Sequence, residues 1–426
     1  MRIAQLSAHT SPLALPGGAT TGGMNVYVLE LSRELARLGY EVDIFTRRDG
    51  DLPAVEDLAP NLRLVRIEAG PASPIDKEEI VGYLPDFARN MRAFIKAQGL
   101  HYDVIHSHYW QSGWVGTLLA REMRVPQVVM FHTLGEVKNR ARISEQEPKR
   151  RIRHERTIVR RATAIVTASA HERFLLERYY DADPGHIYTV PCGIDTDRFR
   201  PLDRAASRRQ LGLPEGRPVL IWVGRLERLK GVDILLGALA QLETRDFTLL
   251  IVGGDEGASA LRAELEAQAA EAGLTANIRF TGPIPHDELP VYYSAADVCA
   301  VPSYYESFGL AAVEAMACGT PVVASRVGGL VSTVTDGVSG YLIPWRCPEP
   351  FAEKLEVLFG NPELRANFGR AARNSVKRFR WETVALDIAA VYDRVLSDYR
   401  ARTGAAETVG FGKEIYEAAV VAGGPH

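Results

Sequence analysis

Two glutamates, Glu306 and Glu314, stand eight positions apart in YYESFGLAAVE (304–314), and GRLERLKG (224–231) offers Arg225 and Lys230 beside two glycines. Two cations on one loop can reach a single diphosphate through charge-assisted hydrogen bonds, and a loop entering a helix adds free N–H groups and the helix dipole. On one unbroken helix the glutamates would lie about 12 Å apart along the axis, too far to grip the same atom. The preceding ADVCAVPS (296–303) is short, apolar and bounded by Pro and Ser, a buried-strand pattern, whereas GLAAVEAMACG (309–319) has helical composition and ends at Gly. The spacing therefore predicts Glu306 in the loop after a strand and Glu314 about a turn and a half into the next helix.

Other candidates lie in the first half of the chain. TTGGMNVYV (20–28) ends a Gly- and Pro-rich loop and opens a helix, so Gly22, Gly23 and Asn25 can bring backbone N–H groups to a ligand, although a tight turn explains the glycines equally well. The spacing is not GxGxxG. In FHTL (131–134), His132 and Thr133 fall just past a buried strand, where a ligand-facing histidine and a satisfied core histidine are both compatible. His106 and His108 alternate on a strand and could face a metal together, but no third ligand has clear spacing and no metal site is expected. DAD (181–183) and DTD (195–197) resemble a metal-binding DxD but sit in turn-rich loops, where aspartates cap and turn the backbone. Residues 138–161 are strongly basic. Most such runs are solvated helix faces. A helix starting near Pro148, however, puts Arg151 in the first turn, against the dipole, and an anion there would explain it.

These residues need elements to hold them. Strand-like runs at 2–7, 41–46, 62–67, 103–108, 127–132, 164–169 and 187–190 alternate with helical patterns such as 25–39 and 113–123. A second series, 218–224, 247–253, 277–282, 297–302, 321–326 and 340–344, follows the Pro- and Gly-containing stretch 191–217. The alternation predicts an α/β chain of two doubly wound, Rossmann-like domains, 1–195 and 196–385, with a cleft at the carboxyl ends of the strands. A helix at 386–402 and a tail at 403–426 complete the chain.

Composition narrows the class. With 46% hydrophobic and 24% charged residues and a net charge of −3, the chain reads as a soluble globular protein for small-molecule partners, not a nucleic-acid binder. No apolar run reaches eighteen residues, so a cytoplasmic protein is expected. The four cysteines show no CxxC spacing and read as reduced thiols.

ESFGLAAVE (306–314), GRLERLKG (224–231), VPCGIDTDRF (190–199) and GGMNVYV (22–28) resemble the retaining family 4 glycosyltransferases, whose fold is GT-B, over residues 1 to about 400. Within that family, HTSPLALPG, HSHYWQSG and FHTLGEVKN look most like the inositol-phosphate enzymes, then the sucrose-phosphate synthases. The resemblance implies that Arg225 and Lys230 hold the donor diphosphate. It gives Glu314 the nucleotide ribose, and Glu306 with the N–H groups of Phe308, Gly309 and Leu310 the sugar hydroxyls. His132 would lie by the donor sugar and Gly23 near the diphosphate. Lys77, Tyr109, Thr133 and Arg151 match positions for the acceptor phosphate in the inositol-phosphate enzymes; Lys138 and Arg153 resemble phosphate ligands of the sucrose-phosphate synthases. Asn25 joins the acceptor-binding set.

The implied reaction is retaining, metal-independent transfer of glucose or N-acetylglucosamine from a nucleoside-diphosphate sugar, the co-substrate, to a phosphorylated acceptor such as inositol phosphate. No other cofactor is implied. Fructose 6-phosphate and a lipid-linked acceptor at a membrane surface are the alternatives, with no membrane association expected and a homo-oligomer left open. An epimerase or a phosphorylase fits the same scaffold less well, a phosphorylase wanting a lysine for pyridoxal phosphate and a much longer chain; a non-catalytic sugar-nucleotide binder would show a broken glutamate pair or Arg-x4-Lys loop, and neither is broken.

Overall fold

The computed structural model describes residues 1–14, 22–141, 146–254, 259–344 and 346–404. Strands β1 (Arg2–Ser7), β2 (Glu41–Arg47), β3 (Val55–Ala59), β4 (Leu62–Ile67), β5 (Val104–His108), β6 (Gln127–Met130), β7 (Ala164–Thr167) and β8 (Ile187–Thr189) form one sheet in the order β3-β4-β2-β1-β5-β6-β7-β8. A second sheet contains β9 (Val219–Gly224), β10 (Thr248–Gly253), β11 (Ile278–Gly282), β12 (Val298–Val301), β13 (Val322–Ser325) and β14 (Gly340–Ile343) in the order β11-β10-β9-β12-β13-β14. This is the two-domain α/β architecture of a GT-B fold.

Pairing is parallel throughout except for β3 with β4. Every residue of β5, β6, β7, β12 and β13 is buried, as befits parallel strands covered by helices on both faces. The edge strand β3, VEDLA, escapes a search for apolar runs because its residues are exposed or half-buried and two are acidic, a composition that protects an edge. Strand order reverses between β1 and β5 in the first sheet and between β9 and β12 in the second. Neighbouring connections leave toward opposite faces at such points, which opens a crevice at the carboxyl ends. Tyr109 opens the helix that directly follows β5, and the loops after β9 and β12 carry Arg225 and Glu306.

The chain crosses between the halves twice, and the crossings touch: Ile194 N–H donates to Phe379 O at 2.7 Å, and Arg380 Nε to Thr196 Oγ1 at 3.0 Å. The helix Trp381–Thr403 then packs on the first half. Trp381 meets the Tyr27 ring at 5.5 Å, and Tyr392, fully buried, places its hydroxyl 2.7 Å from His106 Nδ1. Val384, Ile388 and Val395 share one apolar core with Val28, Leu31 and Leu35.

Candidate active site

One wall of the cleft is built by the second sheet. Glu306 sits in the loop after β12, and the helix Leu310–Ala317 follows, with Gly309 at φ +95°, a conformation that favours glycine. The loop is clamped by the glycines after β13. Gly329 N–H donates to Glu306 O at 2.8 Å, and a Cβ on Gly328 would stand 1.8 Å from the same oxygen. Among the described residues, the N–H groups of Phe308, Gly309 and Leu310 have no acceptor, so they remain available at a helix start. The Phe308 ring itself is buried against Phe379 at 5.3 Å.

Lys230 Nζ lies 2.7 Å from Glu306 Oε2, and Arg225 Nη1 2.7 Å from Glu227 Oε1. The two glutamates of the motif face different groups. Glu314, at 7% exposure, takes a hydrogen bond from Tyr293 Oη at 2.8 Å and lies 3.0 Å from His286 Nε2. Burial would lower the His286 pKa, but the hydrogen bond and charge of Glu314 overcome it and raise the value. Val26, Glu30, Arg198 and Trp381 line the small recess that Glu314 and His286 share.

The opposite wall belongs to the first sheet. A Cβ on Gly23 would meet Leu310 Cδ1 at 2.6 Å and one on Gly22 would stand 3.8 Å from Arg225 Nε, so the helix Gly23–Arg37 begins against the other wall. Asn25 is held by three hydrogen bonds at the start of this helix. Its Nδ2 donates to Thr10 Oγ1 (2.9 Å) and Ser11 O (2.7 Å), and its Oδ1 accepts from Gly22 N–H (3.1 Å), tying the loop after β1 to the helix start. His132, at φ +59°, follows β6, and its carbonyl accepts from Ser307 Oγ across the cleft at 2.6 Å. Ser169 Oγ donates to Ser307 O at 3.2 Å. Tyr109 also lies at positive φ, +72°. Left-handed backbone at bulky residues costs roughly 1–3 kcal/mol each and tends to collect at functional sites.

The cationic cluster is organised differently from the sequence expectation. Arg151, 1% exposed in the helix Lys149–Arg161, pairs with Glu155 (Nε to Oε1, 2.7 Å) and Glu147 (Nη1 to Oε2, 2.9 Å), and its Nη2 donates to Thr133 O and Oγ1 at 2.9 and 3.1 Å. Tyr109 lies under its guanidinium at 4.8 Å. Two carboxylates therefore explain a cation in the first turn, and no ligand is required for that. The contact with Glu147 nevertheless lacks hydrogen-bond alignment, leaving Nη1 buried without a hydrogen-bond partner. Lys138 Nζ sits 2.5 Å from Glu147 Oε1, and Lys77 is near enough for its charge to act on both Glu147 and His9. Burial alone would raise the Glu147 pKa; Arg151 and Lys138 hold it at about 2. Lys77, Tyr109, Thr133, Lys138 and Arg151 are thus brought together. Arg153 is not: two residues from Arg151 it turns to the far side of the helix and is exposed.

Several contributors carry no sequence signal. The His9 ring lies tilted against Tyr109 at 4.6 Å with its Nδ1 buried and unpartnered, and burial with the charges of Lys77 and Arg151 lowers its pKa to about 3. Ser307, His286, Tyr293, Gly328 and Gly329 are equally silent. Asp183 and Asp195 accept backbone N–H bonds from Gly185, and from Asp197 and Arg198. Among the described residues there is no group of three or more His, Cys, Asp or Glu placed to hold a metal, and no helix long and apolar enough to cross a membrane.

Residues 21–198 match the model of Glycosyltransferase Family 4 and residues 203–375 that of Glycosyl transferases group 1. The chain is 43% identical over 414 residues to D-inositol 3-phosphate glycosyltransferase 2 of Catenulispora acidiphila, covering 94% of this chain and 96% of that one. It belongs to the family 4 glycosyltransferases. Another glycosyltransferase of the family, the D-inositol 3-phosphate glycosyltransferase of Corynebacterium efficiens, is 43% identical over 402 residues, 92% of this chain and 95% of that one. Among solved structures, the sucrose-phosphate synthase of Thermosynechococcus elongatus superposes with a TM-score of 0.86 at 37% identity, covering 93% of this glycosyltransferase and 99% of the synthase.

Proposed function

We propose that this glycosyltransferase moves glucose or N-acetylglucosamine, with retention and without a metal, from a nucleoside-diphosphate sugar such as a UDP-sugar to a small phosphorylated acceptor of the inositol-phosphate kind. The carrying observation is the cluster of half-buried Lys77 and Lys138 and buried Arg151 near Glu147 and Glu155, three cations against two carboxylates, beside Tyr109 and Thr133. A phosphate there would meet net positive charge and the unpartnered Arg151 Nη1. The D-inositol 3-phosphate glycosyltransferases at 43% identity support the same acceptor class.

In this reading residues 1–195 with the C-terminal helix hold the acceptor, and residues 196–385 hold the donor. The diphosphate takes Lys230 away from Glu306 and adds Arg225, and the freed carboxylate turns to sugar hydroxyls. The N–H groups of Phe308 to Leu310 complete that sugar site, Glu314 takes the ribose and Gly23 lets the helix start approach the diphosphate. As the anomeric C–O bond breaks, negative charge grows on the leaving diphosphate, where fixed cations lower the barrier most. The leaving phosphate itself accepts the acceptor's proton, so no protein base is needed.

Nucleoside-diphosphate release from UDP-, GDP- and ADP-sugars, with inositol phosphate, fructose 6-phosphate, their dephosphorylated forms and a polyprenyl phosphate as acceptors, with and without chelator, tests this. Turnover confined to a small phosphorylated acceptor is expected. Turnover indifferent to the acceptor phosphate, or dependent on lipid, refutes it. Fructose 6-phosphate is the second acceptor to try, because the superposable sucrose-phosphate synthase is 37% identical.

A further inference from the structure

We infer that Gln5 fixes which nitrogen of His132 carries the proton, so that His132 presents a bare Nδ1 to the cleft as a hydrogen-bond acceptor. The two central strands of the first sheet supply the parts. Gln5 on β1 is in register with His106 on β5, and His108 lies two residues further along the same face. Four contacts link these side chains in one line, buried except at its His132 end. His132 Nε2 is 3.1 Å from His108 Nδ1, and His108 Nε2 is 2.7 Å from Gln5 Oε1. Gln5 Nε2 is 3.3 Å from Tyr392 Oη, which is 2.7 Å from His106 Nδ1.

Burial holds His106 and His132 at a pKa of about 3 and His108 well below its ordinary value. Each imidazole therefore carries one N–H and one bare nitrogen. A contact between two such nitrogens needs one proton, so no link can change alone. Gln5 Oε1 can only accept, and His108 Nε2 must donate to it. His108 Nδ1 is then bare and accepts from His132 Nε2–H, which leaves His132 Nδ1 without a proton. No described residue bonds to that nitrogen. On the other side Gln5 Nε2–H points at Tyr392 Oη, whose proton goes to His106 Nδ1, and the remaining His106 Nε2–H has no partner.

The other self-consistent pattern reverses every link at once and requires the Gln5 amide to turn over. It would place a proton on His132 Nδ1 and turn the cleft end from acceptor to donor. Gln5 is thus a positioning residue: it touches no ligand and acts through His108. The consequence for transfer rests on the reading of the cleft as a sugar site, since a bare Nδ1 would accept from a sugar hydroxyl. The proton pattern itself does not rest on that reading.

The test is ring-nitrogen NMR of the full-length protein labelled with 15N-histidine, free of substrate, with His132→Asn for assignment. The Nε2–H tautomer is expected at His132 and His108. Gln5→Leu should shift His132 toward the Nδ1–H form and lower kcat about ten-fold, the scale of one hydrogen bond, with donor KM within two-fold. Gln5→Glu should keep both tautomer and kcat, since either protonation form of the carboxyl accepts from His108; a merely structural Gln5 would tolerate Leu better than a buried carboxyl. An Nδ1–H tautomer at His132 in the unaltered protein, or a Gln5→Leu spectrum identical to it, overturns the inference; a shifted tautomer with unchanged kcat overturns its consequence for transfer. Absence of transfer by the unaltered protein to every acceptor refutes the sugar reading instead and leaves the tautomer result standing.

Discussion

Glu172 offers a quantitative check on the electrostatics beneath the cleft. It is 1% exposed in the helix Ala170–Tyr180, one oxygen accepts from Ala168 N–H at 2.8 Å, and among the described residues no cation pairs with it. Tyr27, Cys192 and Tyr305 surround it and feel its charge. Burial raises its pKa from 4.5 to about 7, with the Ala168 bond opposing only in part. The folded protein therefore holds this proton more tightly than the unfolded chain. Stability from that proton is fully present below pH 4.5 and is lost as pH rises through about 7. The shift corresponds to about 3 kcal/mol. Glu172→Gln keeps an oxygen for Ala168 N–H and removes the charge. The variant and the unaltered protein should melt within a degree or two of each other near pH 4.5. At pH 8.5 the variant should be more stable by about 3 kcal/mol, roughly 6–12 °C in Tm for a unit of 150–250 residues. Thermal melts followed by circular dichroism across that range read the difference. A difference that does not change with pH, or a variant less stable at pH 8.5, would refute the reasoning.

Three further outcomes follow from the geometry. Lys230→Ala should leave the far-ultraviolet spectrum and Tm nearly unchanged, because its partner Glu306 is partly solvated, yet lower kcat by about 10²–10³-fold in steady-state assays, as expected for a lost leaving-group cation. Arg151→Ala leaves the buried Glu155 without its cation, while Glu147 keeps Lys138, and should cost about 3–5 kcal/mol in urea unfolding, so loss of activity in that variant alone does not report phosphate binding. Gly328→Ala forces a Cβ onto the Glu306 carbonyl at a residue with φ +53°; donor turnover should fall at least about ten-fold, the equivalent of displacing the loop by one hydrogen bond, while Gly337→Ala, where nothing lies within 4 Å, should be active.

What could be read from the sequence was whatever announces itself in one segment. The apolar runs located every buried strand, and the switch from apolar run to helical pattern put Glu306 in a loop and Glu314 on a helix. The amphipathic alternation that marks β3 is written in Val, Glu, Asp and Leu at an edge, and no apolar run betrays it. The cationic cluster was legible in part, as a basic stretch. Its neutralisation by Glu147 and Glu155 was not: they stand four residues before and after Arg151, and which side chains share a helix face depends on where the helix starts. The hydrogen bonds of the Asn25 amide with Thr10, Ser11 and Gly22 were not legible, because the loop after β1 brings those partners from up to fifteen positions away. Gln5, His108 and Tyr392 meet only because β1, β5 and the last helix converge, and no local pattern encodes a meeting of residues 387 positions apart.

The helix Trp381–Thr403 also sets an order of assembly. It supplies Trp381 to Tyr27 and Tyr392 to His106, so the half of the molecule that leaves the ribosome first lacks part of its core until the second sheet and the helix after it have been made. At about 5–20 residues per second, that interval lasts roughly 10–40 s. During it the surface of the first helix that Val384, Ile388 and Val395 will cover stays open to solvent or to chaperones, and a nascent chain stalled in the second domain would expose an incomplete first one.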